Sequence, residues 1–396
     1  MNQDRLLTII LGVLTLSVLI TGGLAIYLTL AQAEEQAPPA TGQPEVSSTP
    51  TTQDVEEVTG EPRIAFVSDR EGDTAIYTVN SAGSHVQRVS APDWHFCLFP
   101  SWSPDGQRVA YVATEEGPTD EGENDAPSAI LVSAADGSGH ILVSQAISNT
   151  DFIRPTWSPD GTRLAFVSWR ETEASDDPTS IIHIARTDGS GIERSLAFPS
   201  EIQHLAWSPV EDKLVVVSGD PDTGTYVHVM SSDGSGITEV FRRSMMADWT
   251  PDGRSVVVGG YMSEEIIVID VSSQDEQTPV PRTVGTLPLQ PLALAMSPDG
   301  AHVAVVAAGH HQQGYATTVA VVTVETGEVA TVAEGSGWIG WPHWSADGQS
   351  MVFTWGQLNR GPGLPRANLW VYDVVSGQLQ ELTTEERFEG LGVWSP

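Results

Sequence analysis

The stretch PTWSPDGTRLAFVS, residues 155–168, decides the fold because it recurs. Copies stand at 100–113 (PSWSPDGQRVAYVA), 205–218 (LAWSPVEDKLVVVS), 247–260 (ADWTPDGRSVVVGG), 294–307 (LAMSPDGAHVAVVA) and 342–355 (PHWSADGQSMVFTW). Their anchors Trp102, Trp157, Trp207, Trp249, Met296 and Trp344 lie 55, 50, 42, 47 and 48 residues apart, close to the ~40–50 residues of a four-stranded propeller blade. Each copy reads as an apolar strand ending at the anchor, a Pro-Asp-Gly turn and a second apolar strand, which is a β-hairpin. A third run follows, such as IIHIAR, YVHVMS or IIVIDV, then a short polar turn and a fourth strand. In three units that turn is Asp-Gly-Ser-Gly, beginning at Asp136, Asp188 and Asp233. A lone Asp among glycines offers a calcium ion too few oxygens, so these are read as hairpin turns.

The two ends of the repeat region set the blade count. RIAFVS, beginning at Arg63, matches the second strand of the repeat, and IYTV and VQRVS match the third and fourth. The missing first strand stands at the other end, where Leu391-Gly392-Val393-Trp394-Ser395-Pro396 closes on a Trp-Ser-Pro anchor 50 residues after Trp344. The expected fold is therefore all-β: a seven-bladed β-propeller over residues 61–396, closed by the C-terminal strand pairing into the N-terminal blade, with no open sheet edge. The Trp-Ser-Pro-Asp-Gly hairpin with its Asp-Gly-Ser-Gly turn resembles the TolB-like propeller repeats, the WD-like repeats of bacterial envelope proteins. The resemblance covers residues 61–396 and implies the fold without naming a ligand. The best-known members of that family have six blades, whereas seven anchors are counted here. No Trp-Asp dipeptide occurs, against the WD-repeat signature.

Ahead of the repeats, Leu6 to Leu30 carry no charged side chain. Twenty-five helical residues at ~1.5 Å each exceed the ~30 Å hydrocarbon core, so 6–30 reads as a transmembrane anchor. Arg5 precedes it and no Lys or Arg follows until Arg63, which leaves residues 1–5 in the cytoplasm and the propeller outside the cell membrane. The competing reading is a secreted protein cleaved near Ala33, at Ala31-Gln32-Ala33, although a signal-peptide core is usually only ~7–15 residues long. Residues 31–60, rich in Pro, Thr, Ser and Glu, are too poor in large apolar groups to fold and read as a disordered linker.

With 52 acidic residues against 18 Lys and Arg the formal charge is −34, which excludes a nucleic-acid partner because clustered cations are absent. Cys97 stands alone, so neither a disulfide nor a cysteine metal cluster is available. No Gly-x-Ser-x-Gly elbow, Walker loop, dinucleotide fingerprint or His-Glu-x-x-His occurs, so no cofactor is expected and the chain reads as more scaffold than enzyme.

Loops on a rigid scaffold usually carry function. The second-to-third and inter-blade connections share one face and vary in length, reaching the acidic run 115–125 (EEGPTDEGEND). Candidate binding residues there are Asp69 and Arg70, His95, Trp169 and Arg170, Asp220, His310 and His311, and Trp355 with Arg360. His310 and His311, read as a loop pair, could join His95 at a metal. Adjacent residues of a strand point opposite ways, however, and no metal site is expected. The leading expectation is a monomeric, membrane-anchored, non-catalytic propeller that binds a protein or an envelope polysaccharide. The alternative is a polysaccharide lyase or glycosidase on the loop-rich face, whose mark would be titratable groups from several blades converging with perturbed pKa values.

Overall fold

The computed structural model describes residues 61–114, 128–145, 150–170, 179–220, 224–260, 263–272, 281–311, 314–356, 366–385 and 387–396. The expected anchor and linker, the acidic run 115–125 and Arg360 lie outside the described residues. No helix among the described residues is long and apolar enough to cross a membrane.

Seven antiparallel sheets follow one another. Blade 2 is typical: His95–Trp102 is innermost, then Arg108–Thr114, Ser128–Ala134 and Ile141–Gln145. Blades 3 to 6 repeat this order from the innermost strands Thr150–Trp157, Ile202–Trp207, Ser244–Trp249 and Gln290–Met296. In blade 7 the innermost strand is broken into Trp338–Ile339 and His343–Trp344, both paired to Ser350–Gly356. Blade 1 is assembled from both ends of the domain. Glu389–Trp394 pairs with Arg63–Ser68 through Ile64↔Trp394 and Ala65↔Val393, and the Ser395 amide donates to the Arg63 carbonyl at 2.7 Å. The ring is thus closed as the sequence predicts.

Apolar residues of facing blades form the core. None of the seven anchors is more than 9% exposed, and four indole N–H groups tie their blades to the one before. Trp102 donates to Val393 O, Trp157 to Ser101 O, Trp249 to Ala206 O and Trp344 to Ala295 O, at 2.9–3.2 Å. The acceptor is always the residue preceding the previous blade's anchor. Arg108 and Arg163 add cation–π contacts, lying 4.9 and 5.1 Å from the rings of Trp157 and Trp207 in the next blade.

The Ser-Pro-Asp-Gly turn carries its own hydrogen bonds. In blade 3 the Ser158 hydroxyl donates to Asp160 at 2.6 Å, Asp160 accepts the Thr162 amide at 3.0 Å, and Gly161 takes the left-handed φ of +66° that the turn requires. These bonds, the Ser158 hydroxyl first, pull the Asp160 carboxyl down to about 2. The Asp-Gly-Ser-Gly turns work alike: Asp136, Asp188 and Asp233 each accept both the amide and the hydroxyl of the serine two residues on. One expectation changes. His310 and His311 belong to the strand His302–His311, paired as His310↔Tyr315 and His311↔Gly314. The β-prone run at Tyr315–Thr318 pairs back onto this strand and extends the hairpin.

Candidate functional site

The seven innermost strands contact their neighbours around the ring and enclose a central channel. Their inner edges are unpaired, so amides facing the axis need other acceptors. Side chains one residue before an anchor supply three of them. Thr156 accepts the Trp207 amide at 3.3 Å, Asp248 the Met296 amide at 2.9 Å, and His343 Nδ1 the Trp394 amide at 3.2 Å.

Two residues further back the strands are bulged. Register shifts fall between Ile153 and Thr156, Ile202 and His204, Ser244 and Ala247, and Pro291 and Ala293. Blade 7 is interrupted at the same level by Gly340-Trp341-Pro342. Bulges re-aim side chains, and here they bring together Arg154 of blade 3, His204 of blade 4, Asp248 of blade 5, and Trp341 and His343 of blade 7. The Arg154 guanidinium lies 4.7 Å from the Trp341 ring, a contact between blades on opposite sides of the ring. Its charge also acts on His204, Asp248 and His343. Only a side chain near the axis can reach three other blades.

Arg154, His204, Asp248 and His343 are all partly exposed, because they face the channel, yet they lie deep enough for desolvation to dominate. Burial, then the Arg154 charge, pushes His204 down to about 3. Burial takes His343 down to about 4, with Arg154 adding to the shift. Both rings are neutral at pH 7. Burial raises the Asp248 carboxyl to about 6, although the Met296 and Trp249 amides and Arg154 oppose the rise. Arg154, lowered by burial to about 10, stays charged. Among the described residues its guanidinium makes no hydrogen bond or ion pair, so its five donors are available to a ligand. Asp248 is partly engaged: its two oxygens each accept one amide, from Trp249 at 2.8 Å and Met296 at 2.9 Å.

Among the candidates whose side chains are described, Asp69, Arg70, His95 and Trp355 engage separate partners and form no single site. Asp69 and Arg70 serve ring closure: Asp69 accepts the Phe388 amide at 3.2 Å, and Arg70 pairs with Glu389 while lying over Tyr77. His95 meets Asp73 at 2.7 Å on the loop-rich rim. Trp355 is half-buried beside Trp370, and the glycines Gly335 and Gly337 leave room for its ring. Trp169, Arg170 and Asp220 end strands of blades 3 and 4. No group of three potential metal ligands occurs among the described residues. Arg154, His204, Asp248, Trp341 and His343 escaped the sequence reading, although a signal exists. When the repeats are aligned, they occupy the positions one and three residues before the anchor, where the other blades carry uncharged residues, Ser101, Thr156, Ala206, Ala295 and Val393 at the first position and Phe99, Met246, Ala293 and Leu391 at the second.

No family model matches the chain. The uncharacterized peptidase YuxL of Bacillus subtilis is 26% identical over 217 residues, 54% of this chain and 30% of the relative, so the chain spans under a third of that protein. TolB from Acinetobacter baumannii superimposes with a TM-score of 0.51 at 16% identity, covering 82% of this chain and 79% of TolB. The oligogalacturonate lyase of Vibrio parahaemolyticus gives 0.59 at 12% identity, covering 76% and 84%. The fold is a TolB-like propeller, shared by these proteins of different function.

Proposed function

We propose that this chain is a non-catalytic binding propeller, held on the outer face of a membrane by residues 6–30, that captures a protein partner through its central channel. The observation that carries the reading is the state of the channel groups. Proton transfer near neutral pH favours a base whose pKa lies near the working pH. The two histidines are driven to about 3 and about 4, and the better-placed carboxylate, Asp248, has both oxygens engaged by amides. What is left available is a set of donors on Arg154, which suits recognition. TolB supports the reading as a fold relative only. A charge of −34 favours a partner with a basic surface and makes association salt-sensitive.

A second reading, a polysaccharide lyase acting on uronate chains, is favoured by the convergence of titratable groups from several blades, with Asp248 raised to about 6. One experiment separates the two. Photo-crosslinking residues placed along the channel mouth are activated in native membranes, and the purified protein is incubated with polygalacturonate while the ultraviolet absorbance of unsaturated product is followed. Crosslinks to one protein, lost when Arg154 is replaced, with no absorbance change, support the scaffold. Turnover without a crosslinked protein overturns it. Release of the protein from membranes by alkaline wash, with a mass matching cleavage near Ala33, would remove the anchor.

A further inference from the structure

We infer that the channel site receives one carboxylate, the C-terminal carboxylate of an extended segment of the protein partner, on the Arg154 guanidinium where that group stacks on Trp341. This deepens the scaffold reading and rests on it. Three observations define the ligand. First, a planar guanidinium without a hydrogen-bonding partner among the described residues matches a carboxylate through two parallel N–H···O bonds. The Trp341 ring 4.7 Å away holds that fork by a cation–π contact.

Second, the local charge disfavours a ligand with more than one negative charge, because Asp248 already offsets Arg154. Arg154 is cationic, Asp248 is anionic at pH 7, and His204 and His343 are neutral. One added carboxylate brings a single charge, whereas a phosphate brings about two at neutral pH. A polyuronide would also approach against the field of a chain with a net charge of −34. Third, the contact between Arg154 and Trp341 joins blades 3 and 7 across the axis and obstructs the channel at that level. A segment entering from either mouth meets this bridge with its end, so a terminal carboxylate fits better than one on a side chain of a threaded segment.

The test uses the full chain, labelled with 15N at the tryptophan indoles, in detergent. N-acetyl-diglycine is titrated as the free acid, and three controls follow: its C-terminal amide, N-acetyl-aspartate amide and digalacturonate. A saturable shift of one indole resonance is expected with the free acid, assigned to Trp341 by its disappearance in Trp341→Phe. The amide should leave it unmoved, and Arg154→Met should weaken the free acid about tenfold or more. If Arg154→Met fails to fold, Arg154→Lys is read in its place, since it keeps the charge and loses the fork. An equal response to the amide, or unchanged binding in the Arg154 variant, overturns the inference. Tighter binding of N-acetyl-aspartate amide or digalacturonate also overturns it, in favour of a side-chain carboxylate or a uronide. A crosslinked protein without carboxylate binding defeats this inference alone, and carboxylate binding without any protein partner defeats the scaffold reading.

Discussion

Arg70 and Glu389, 319 residues apart in the chain, form an ion pair whose carboxylate is fully buried. The Ser68 hydroxyl also donates to Glu389 at 3.3 Å, and the Arg70 guanidinium lies 4.7 Å from the Tyr77 ring. The two contacts to Glu389 join the C-terminal strand to the N-terminal blade, and the Tyr77 ring holds Arg70 in place for them. Removing one partner of a buried pair leaves the other charge without compensation, whereas removing both is mild. Arg70→Ala should therefore destabilise the propeller by about 3 kcal/mol, and Arg70→Met with Glu389→Gln should recover most of that loss. Urea unfolding of both variants checks it, and additive losses would show that the pair is incidental.

The anchor tryptophans allow a controlled comparison. Trp157 and Trp207 are about equally buried and each lies under an arginine. The Trp157 indole donates to Ser101 O at 2.9 Å, while the Trp207 indole N–H is buried without a partner among the described residues. Trp157→Phe strands a carbonyl, and Trp207→Phe removes an orphaned donor. The first should cost about 1 kcal/mol more than the second, since a buried polar group left unpaired carries a desolvation penalty. Equal losses in chemical denaturation would mean that the indole bonds between blades contribute nothing.

Acid should act through the channel. His204 and His343 have folded pKa values lowered to about 3 and about 4 from 6.5. Their contribution is therefore full above pH 6.5 and is lost as pH falls toward those values. Asp248, raised from 3.8 to about 6, has the opposite sign: its contribution is present below pH 3.8 and lost as pH rises through 6. Two groups against one make the net effect a loss of stability on acidification from pH 6.5 to 4. His204→Asn should flatten that limb in urea midpoints measured at pH 4, 5, 6 and 7. An unchanged slope would place the ring in water.

The Trp-Ser-Pro-Asp-Gly hairpin is legible in the sequence because its interactions are local. Ser158, Asp160, Gly161 and Thr162 complete their bonds within five residues, and repetition then sets the blade spacing. Closure is legible for a related reason, since a strand missing at Arg63 reappears at Leu391. The channel site shows in the sequence only as odd residues at two aligned positions, because bulges break the alternation that assigns a strand residue to a face. Arg154 also meets Trp341 only through a ring that seven sheets must complete. The loop-rich rim attracted the candidates Arg70 and Trp355 by residue type, yet packing engages both, Arg70 with Glu389 and Trp355 with Trp370.

Residues Gly390 to Pro396 supply the strand on which closure depends, and their removal is the most severe test of the fold. The Val393 carbonyl accepts the Trp102 indole at 3.0 Å, the Trp394 amide donates to His343 Nδ1 at 3.2 Å, and the Trp394 ring is buried beside Ile64 and Val352. One short segment thus holds blades 1, 2 and 7 at once. Cys97 is the sole cysteine, so no disulfide substitutes for the lost strand. A chain ending at Glu389 would expose the edge of Arg63–Ser68, an invitation to pair with another copy. It should melt over a broader and lower range than the full chain and should aggregate as it does so. Scanning calorimetry with light scattering measures both, and an unchanged cooperative transition would show that the ring holds without its closing strand.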